Sequence, residues 1–231
     1  MISDIQGRVN QLSPSTFSAG DQEKLQLSNT GELWTAGWRE RLIAAGVVYQ
    51  VSMGAVSATA HTSVAGNAAV DLDQPEVIIG VDTGVLIPLE IDIAIHTNDD
   101  DAYDDVTEIG FYADRTQATA AGATATDETP VNLLDGGDAF SGRAYSIVTA
   151  DVTDPDTGAD WLGGRFWIKT QMVAETGGGF AMPKNWRKSF TLPNLLRGPC
   201  QIVGYVTGTN SPTFMGSVTF AHCPAGWFPI A

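Results

Sequence analysis

Eleven residues constrain this chain more than any others. Leu86 to His96 reads Leu-Ile-Pro-Leu-Glu-Ile-Asp-Ile-Ala-Ile-His. Ile87, Leu89, Ile91, Ile93 and Ile95 alternate with Pro88, Glu90, Asp92 and Ala94. A period of two places the five apolar side chains on one face of a half-buried strand. A strand with one wet face belongs in an antiparallel sheet, and its apolar face needs a second layer to cover it. Pro88 stands near the start of the run, where a missing ladder donor is tolerated. The spacing therefore predicts an all-β protein with two packed sheets.

The rest of the chain repeats the pattern in shorter form. Gly46 to Ser63 alternates, Glu76 to Val81 is a compact apolar run, and Asp82-Thr-Gly84 is a tight turn before the main strand. Further strands are predicted over Glu108 to Ala113, Ala144 to Val152 and Arg165 to Val173. Ile202 to Thr207 and Thr213 to His222 are expected to pair as a closing hairpin about Asn210-Ser-Pro212. Residues 115–140, rich in Ala, Thr, Gly and Asp, read as a surface loop, and so do residues 175–199 with their basic cluster Lys184, Arg187 and Lys188. The one short helix expected in this region is Trp38 to Gly46, closed by its glycine. Many short strands with long loops give the fold expectation: a jelly-roll-like antiparallel β-sandwich over 45–231, preceded by an arm, hairpin and short helix over 1–44. An immunoglobulin-like sandwich is the alternative, but its cysteine–tryptophan–cysteine spacing is absent.

Charge narrows the partners. The chain has 27 acidic against 12 basic residues and a net charge of −15, which repels nucleic-acid phosphates and anionic membranes. No stretch reaches the roughly 18 consecutive apolar residues of a membrane helix. The first residues, Met-Ile-Ser-Asp-Ile-Gln-Gly, lack a basic region followed by an apolar one, so synthesis in a cytoplasm without export is expected.

Motifs that would carry chemistry are sparse. Neither Gly-x-Ser-x-Gly nor His-Glu-x-x-His occurs, so no enzymatic activity and no cofactor are expected. Asp99 to Asp105 holds five carboxylates in seven residues; Asp99, Asp101 and Asp104 are weak candidates for a hard cation such as calcium. Asp154, Asp156 and Asp160 form a second weak candidate, but Gly158 and Arg165 stand where an EF-hand places a ligand. A solvated acidic turn is the simpler reading of both. His61, His96 and His222 are scattered. If the closing hairpin turns at Ser211 and Pro212, Cys200 falls opposite Cys223, within adjustment of disulfide geometry. Cytosolic synthesis predicts that the pair is reduced when made.

The N-terminal region is polar with spaced apolar residues, Ile2, Ile5, Val9, Leu12 and Phe17. Such a segment has no core of its own and is expected to lie along a partner chain. Gly20-Asp-Gln, the alternating Leu25 and Leu27, the turn Ser28-Asn-Thr-Gly31 and the pair Leu33-Trp34 follow. This stretch resembles the N-terminal segment of many tailed-phage virion structural proteins. The resemblance covers residues 18–35. It implies a capsid decoration or cement protein on the virion exterior, partnered by the capsid protein of the same particle. The arm and the six tryptophans suit that expectation: Ile5, Val9, Leu12, Phe17, Trp34, Trp38 and Trp227 are the candidate partner-binding residues, and a homotrimer is the expected assembly. A carbohydrate-binding or tail receptor-binding module, using loops 98–105, 115–140 and 175–199, is the alternative.

Overall fold

The computed structural model describes residues 37–54, 61–62, 72, 74–97, 106–115, 125–148, 160–161, 166–169, 184–191, 194–208 and 213–227. In chain order these contain helix α1 (Trp38–Ala44), then strands β1 (Val48–Met53), β2 (His61–Thr62), β3 (Val77–Val81), β4 (Val85–Thr97) and β5 (Val106–Asp114). The short β6 (Thr126–Asp127) and β7 (Val131–Asn132) follow, then β8 (Arg143–Ser146), β9 (Asp160–Trp161) and β10 (Phe166–Lys169). β11 (Lys184–Ser189), β12 (Leu196–Arg197), β13 (Cys200–Gly208) and β14 (Thr213–Cys223) complete them.

The strands make two antiparallel sheets, as the alternation predicts. The first runs β11-β4-β14-β1-β7, with β12 also on β4 and β2 on β14. The second runs β10-β5-β13-β3-β8-β6, with β9 also on β5. Successive long strands change sheet: β3 to β4, β4 to β5 and β13 to β14. The result is a jelly-roll-like sandwich. Ile91, Ile93, Ile95, Phe214, Val218 and Phe220 of the first sheet meet Ile79, Ile109, Phe111, Ile202 and Val206 of the second in one buried cluster. Gly204 is required there: a Cβ would stand 2.4 Å from the Phe111 ring and 2.6 Å from Val77. The Phe111 ring is stacked in turn by Trp186, at 6.1 Å between centroids.

The apolar stripe of β4 does not stay on one face. In the ladder to β14, Thr219 lies opposite Glu90 and Phe220 opposite Pro88, so the register slips at Leu89. A β-bulge of this kind puts two residues against one and reverses the parity of everything beyond it. Ile91, Ile93 and Ile95 therefore face the second sheet. Val85, Ile87 and Leu89 face the other way, into a separate cluster with Leu42, Val47, Val48, Ala221 and Cys223 under α1. The expected single face of five is two faces. The bulge is held from outside: the Leu89 carbonyl accepts from the Phe190 N–H at 3.0 Å and from the Arg39 guanidinium at 3.1 Å. Arg39 Nη2 also donates to the Phe190 carbonyl. One side chain of α1 thus ties the helix to β4 at the slip and to Phe190, just past the end of β11.

Three further expectations are corrected. The closing hairpin does not form, because β13 pairs with β3 and β5 while β14 pairs with β1 and β4. A Gly-Thr-Asn-Ser-Pro connection serves an inter-sheet corner as well as a hairpin turn, and the local residues do not distinguish them. Residues 175–199 contain β11, which runs along β4 from Lys184↔Ile95 to Ser189↔Glu90. Its Lys-Asn-Trp-Arg-Lys-Ser carries a single apolar residue, as an edge strand with one core contact needs no more. Residues 115–140 contain β6 and β7, which pair with β8 and β1. The arm and hairpin expected over residues 1–35 lie outside the described residues.

Candidate functional site

The metal candidates are not brought together. Asp99, Asp101, Asp104, Asp154 and Asp156 lie outside the described residues. Asp160 opens β9, opposite Ala113. Among the described residues no group of three His, Cys, Asp or Glu stands close enough to hold a metal ion.

Of the candidate partner-binding residues, Ile5, Val9, Leu12, Phe17 and Trp34 also lie outside the described residues. Trp38 and Trp227 are brought together, both packed part-buried on the cluster under α1. The Arg39 guanidinium sits 5.4 Å from the Trp38 ring. Much of these two rings is thus engaged by the chain's own core.

Cys200 and Cys223 are free thiols, both fully buried. With the hairpin gone, the ground for setting them face to face is gone too. Cys200 belongs to the core between the sheets and Cys223 to the cluster under α1. Burial pushes both thiols up to about 12, far from the range of a reactive thiolate. Cys200 also donates to the Leu196 carbonyl at 3.4 Å.

His222 is structural in its contacts. Nε2 lies 3.1 Å from the Thr83 carbonyl. A carbonyl only accepts, so Nε2 carries the proton, and Nδ1 lies 3.4 Å from Ser141 Oγ. Gly84, at φ +85°, leaves no room for a side chain, since a Cβ would stand 2.9 Å from Nε2. The imidazole thus joins the β3–β4 turn and the segment before β8 to β14, with Phe140 edge-on at 5.6 Å.

Beyond the bulge, Glu90 and Asp92 alternate with the core isoleucines and lie opposite Thr219 and Ser217 of β14. Arg187 reaches Glu90 at 2.7 Å and Ser189 Oγ donates to its other oxygen at 2.8 Å. Partial burial works to raise the Glu90 carboxyl, but these two bonds and the guanidinium charge hold it below the usual value. Gln50 Nε2 donates to Ser217 Oγ at 3.3 Å. On the far side of the second sheet, Gln201 Nε2 donates to Asp114 at 3.1 Å and Tyr205 Oη to the Leu72 carbonyl at 2.8 Å.

The surface that stands out is the β7 edge of the first sheet. Val131, Leu133 and Leu134 are the large apolar side chains exposed among the described residues, at 66%, 41% and 37%. Their backbone is nonetheless fixed. Val131 pairs with Gln50, and the Leu133 N–H donates to the Val48 carbonyl at 2.9 Å. Asn132 Nδ2 donates to the carbonyls of Gly46 and Asp138, at 2.8 and 2.9 Å, while its Oδ1 accepts from the Leu134 N–H. The ladder to β1 and the Asn132 bonds together fix the backbone that carries these three partly exposed apolar side chains. Sequence reasoning missed them. Pro130-Val-Asn-Leu-Leu134 is too short to show a period, and exposure leaves no mark in it.

The two edges of this sheet also differ in charge. Asp135 and Asp138, both exposed, follow β7, whereas the β11 sequence contains Lys184, Arg187 and Lys188, with Arg187 paired to Glu90. No protein-family model matches the chain, and no curated protein matches it in sequence.

Proposed function

We propose that this chain is a non-enzymatic structural protein of a tailed-phage virion. In this reading it is a decoration or cement protein on the capsid exterior. It binds the capsid protein of the same virion through its N-terminal arm and assembles as a homotrimer. The observation that carries the reading is the β7 edge: three exposed apolar side chains on a hydrogen-bonded backbone. Apolar side chains clustered at the surface are a common mark of a docking surface. The resemblance of residues 18–35 to virion structural proteins supports the same reading, and so do the spaced apolar residues of the arm.

The test is co-sedimentation with the capsid shell. The full chain should bind the shell, and a variant lacking residues 1–36 should keep the circular dichroism of a β-protein but lose shell binding. Binding of the truncated chain at wild-type affinity would remove the arm from the mechanism.

A further inference from the structure

We infer that Asp135 is a site of spontaneous isomerisation to isoaspartate, and that the reaction loosens the backbone of the β7 edge. The chemistry stands apart from the virion reading; only its consequence for docking rests on that reading. Asp135-Gly136 is the chain's single Asp-Gly pair, and Asn-Gly does not occur. In such a pair the glycine nitrogen attacks the aspartate Cγ. A C–N bond forms, the carboxyl hydroxyl and the N–H proton leave together as water, and a five-membered succinimide results. Water then adds to one of the two ring carbonyls. When it adds at the main-chain carbonyl, the bond from that carbon to the glycine nitrogen breaks. The chain then runs on through Cγ, one methylene longer. The water lost is regained, and no oxidant or reductant is needed.

The structure leaves this pair open to the reaction. Asp135 and Gly136 are both exposed and lie outside the strands. A Cβ on Gly136 would meet nothing within 4 Å, so no neighbour crowds the approach to its nitrogen. Gly136 stands at φ +73°, a conformation that keeps the position for glycine. Asp82, Asp92, Asp114, Asp127 and Asp138 are followed instead by Thr, Ile, Arg, Glu and Ala, whose side chains hinder the attacking nitrogen. The pair also sits inside the turn that frames the edge. The Gly137 N–H donates to the Leu134 carbonyl at 2.9 Å, and Asn132 Nδ2 donates to the Asp138 carbonyl at 2.9 Å. Gly137 lies so close to Asn132 that a Cβ would stand 2.5 Å from its amide nitrogen. An extra methylene between Leu134 and Gly137 misaligns both bonds, and with them the backbone that carries Leu133 and Leu134.

The test ages the full chain and D135E for several weeks at 37 °C and pH 6, then labels isoaspartate with an isoaspartyl methyltransferase and maps the peptides. Glutamate keeps the charge but needs a six-membered ring, which closes far more slowly. Wild type should gain isoaspartate at position 135 with no change in mass, and D135E should lose the signal there. Wild type without label at 135 would overturn the proposal, as would equal labelling at Asp127 and Asp138. The aged form, separated by ion exchange, should show faster amide exchange at Leu134 and Gly137 and unchanged exchange across β5 and β13. Unchanged exchange at Leu134 and Gly137 would overturn the loosening of the edge. Measured beside shell binding, the results separate the two readings. Shell binding that survives isomerisation undiminished removes the consequence for docking. Isomerisation in a chain whose fresh form binds no shell keeps the site and removes the virion role.

Discussion

The two halves of β4 are chemically alike and are used differently. Before the bulge, Val85, Ile87 and Leu89 lie under a seven-residue helix. After it, Ile91, Ile93 and Ile95 lie between two sheets. The second environment is framed by long strands with continuous ladders on both sides. The first is closed by a short helix that docks through Leu42, the flank of Trp38 and the Arg39 bonds to the bulge. An isolated helix of this length has little stability of its own, so packing holds it. The lesson is that one strand joins a rigid core to a cover whose attachment is local and breakable.

The sharpest way to test that contrast is to cut the same side chain in each half. Ile93→Ala should cost about 4 kcal/mol, since the surrounding strands cannot collapse into the cavity, and Ile87→Ala about 2–3 kcal/mol, since the helix can settle. Urea denaturation measures both. Equal losses would mean that the helix is as rigidly held as the second sheet.

Arg39→Ala should come next, at about 1–2 kcal/mol, the range for losing hydrogen bonds to part-buried carbonyls, with Leu89 keeping its Phe190 N–H donor. Its effect should be local. Amide exchange should quicken in α1 and around Leu89 and stay unchanged across β5 and β13. Faster exchange throughout would show that the bulge anchors the whole sandwich.

The cysteines report on the two halves separately. Both are buried with raised thiol values, so neither should react in the closed state. Because the thiol form is favoured on folding, this contribution to stability is complete below about pH 9, the ordinary value, and is lost as pH rises toward about 12. At pH 8, alkylation should proceed through local opening, with Cys223, under the helix, about tenfold faster than Cys200; tenfold corresponds to roughly 1.4 kcal/mol in opening free energy. Peptide mapping of the alkylated protein gives the two rates. Equal rates would mean that both halves open only with the whole fold.

The smallest effect belongs to Glu90, beside the bulge. Its carboxyl is held below its ordinary 4.5. The charged form therefore contributes stability above that value, and the contribution is lost as pH falls through the lowered one. Glu90→Gln should lose under about 1 kcal/mol at pH 7, as expected of a partly exposed ion pair. The difference from wild type should shrink below about pH 4. A difference that persists at pH 3 would mean the glutamate acts through packing instead of charge.

Much of the local structure was legible. The helix was readable because Gly46 follows its last turn, and Gly46 adopts φ +69° there. The turn at 82–84 was readable from Asp-Thr-Gly, between an apolar run and an alternating one. β11 was not, because Trp186 is its one apolar residue and pairing with β4 supplies what alternation does not. The candidate partner residues show the same division. Trp38 and Trp227 stood out by type and are packed largely on the chain's own core, whereas Val131, Leu133 and Leu134 looked ordinary and are exposed.

Alternation by itself established that β4 is a strand, that the protein is built of antiparallel sheets and that two layers bury its apolar residues. Composition by itself established the acidic surface and the three basic residues gathered between 184 and 188. Only the tertiary structure decided which way each apolar residue faces, which sheet receives each strand and which apolar residues stay in water. The reason is that a period of two defines parity only while the ladder keeps step. One extra residue at Leu89 reverses it, and that residue is extra only by comparison with β14, a strand more than a hundred positions away.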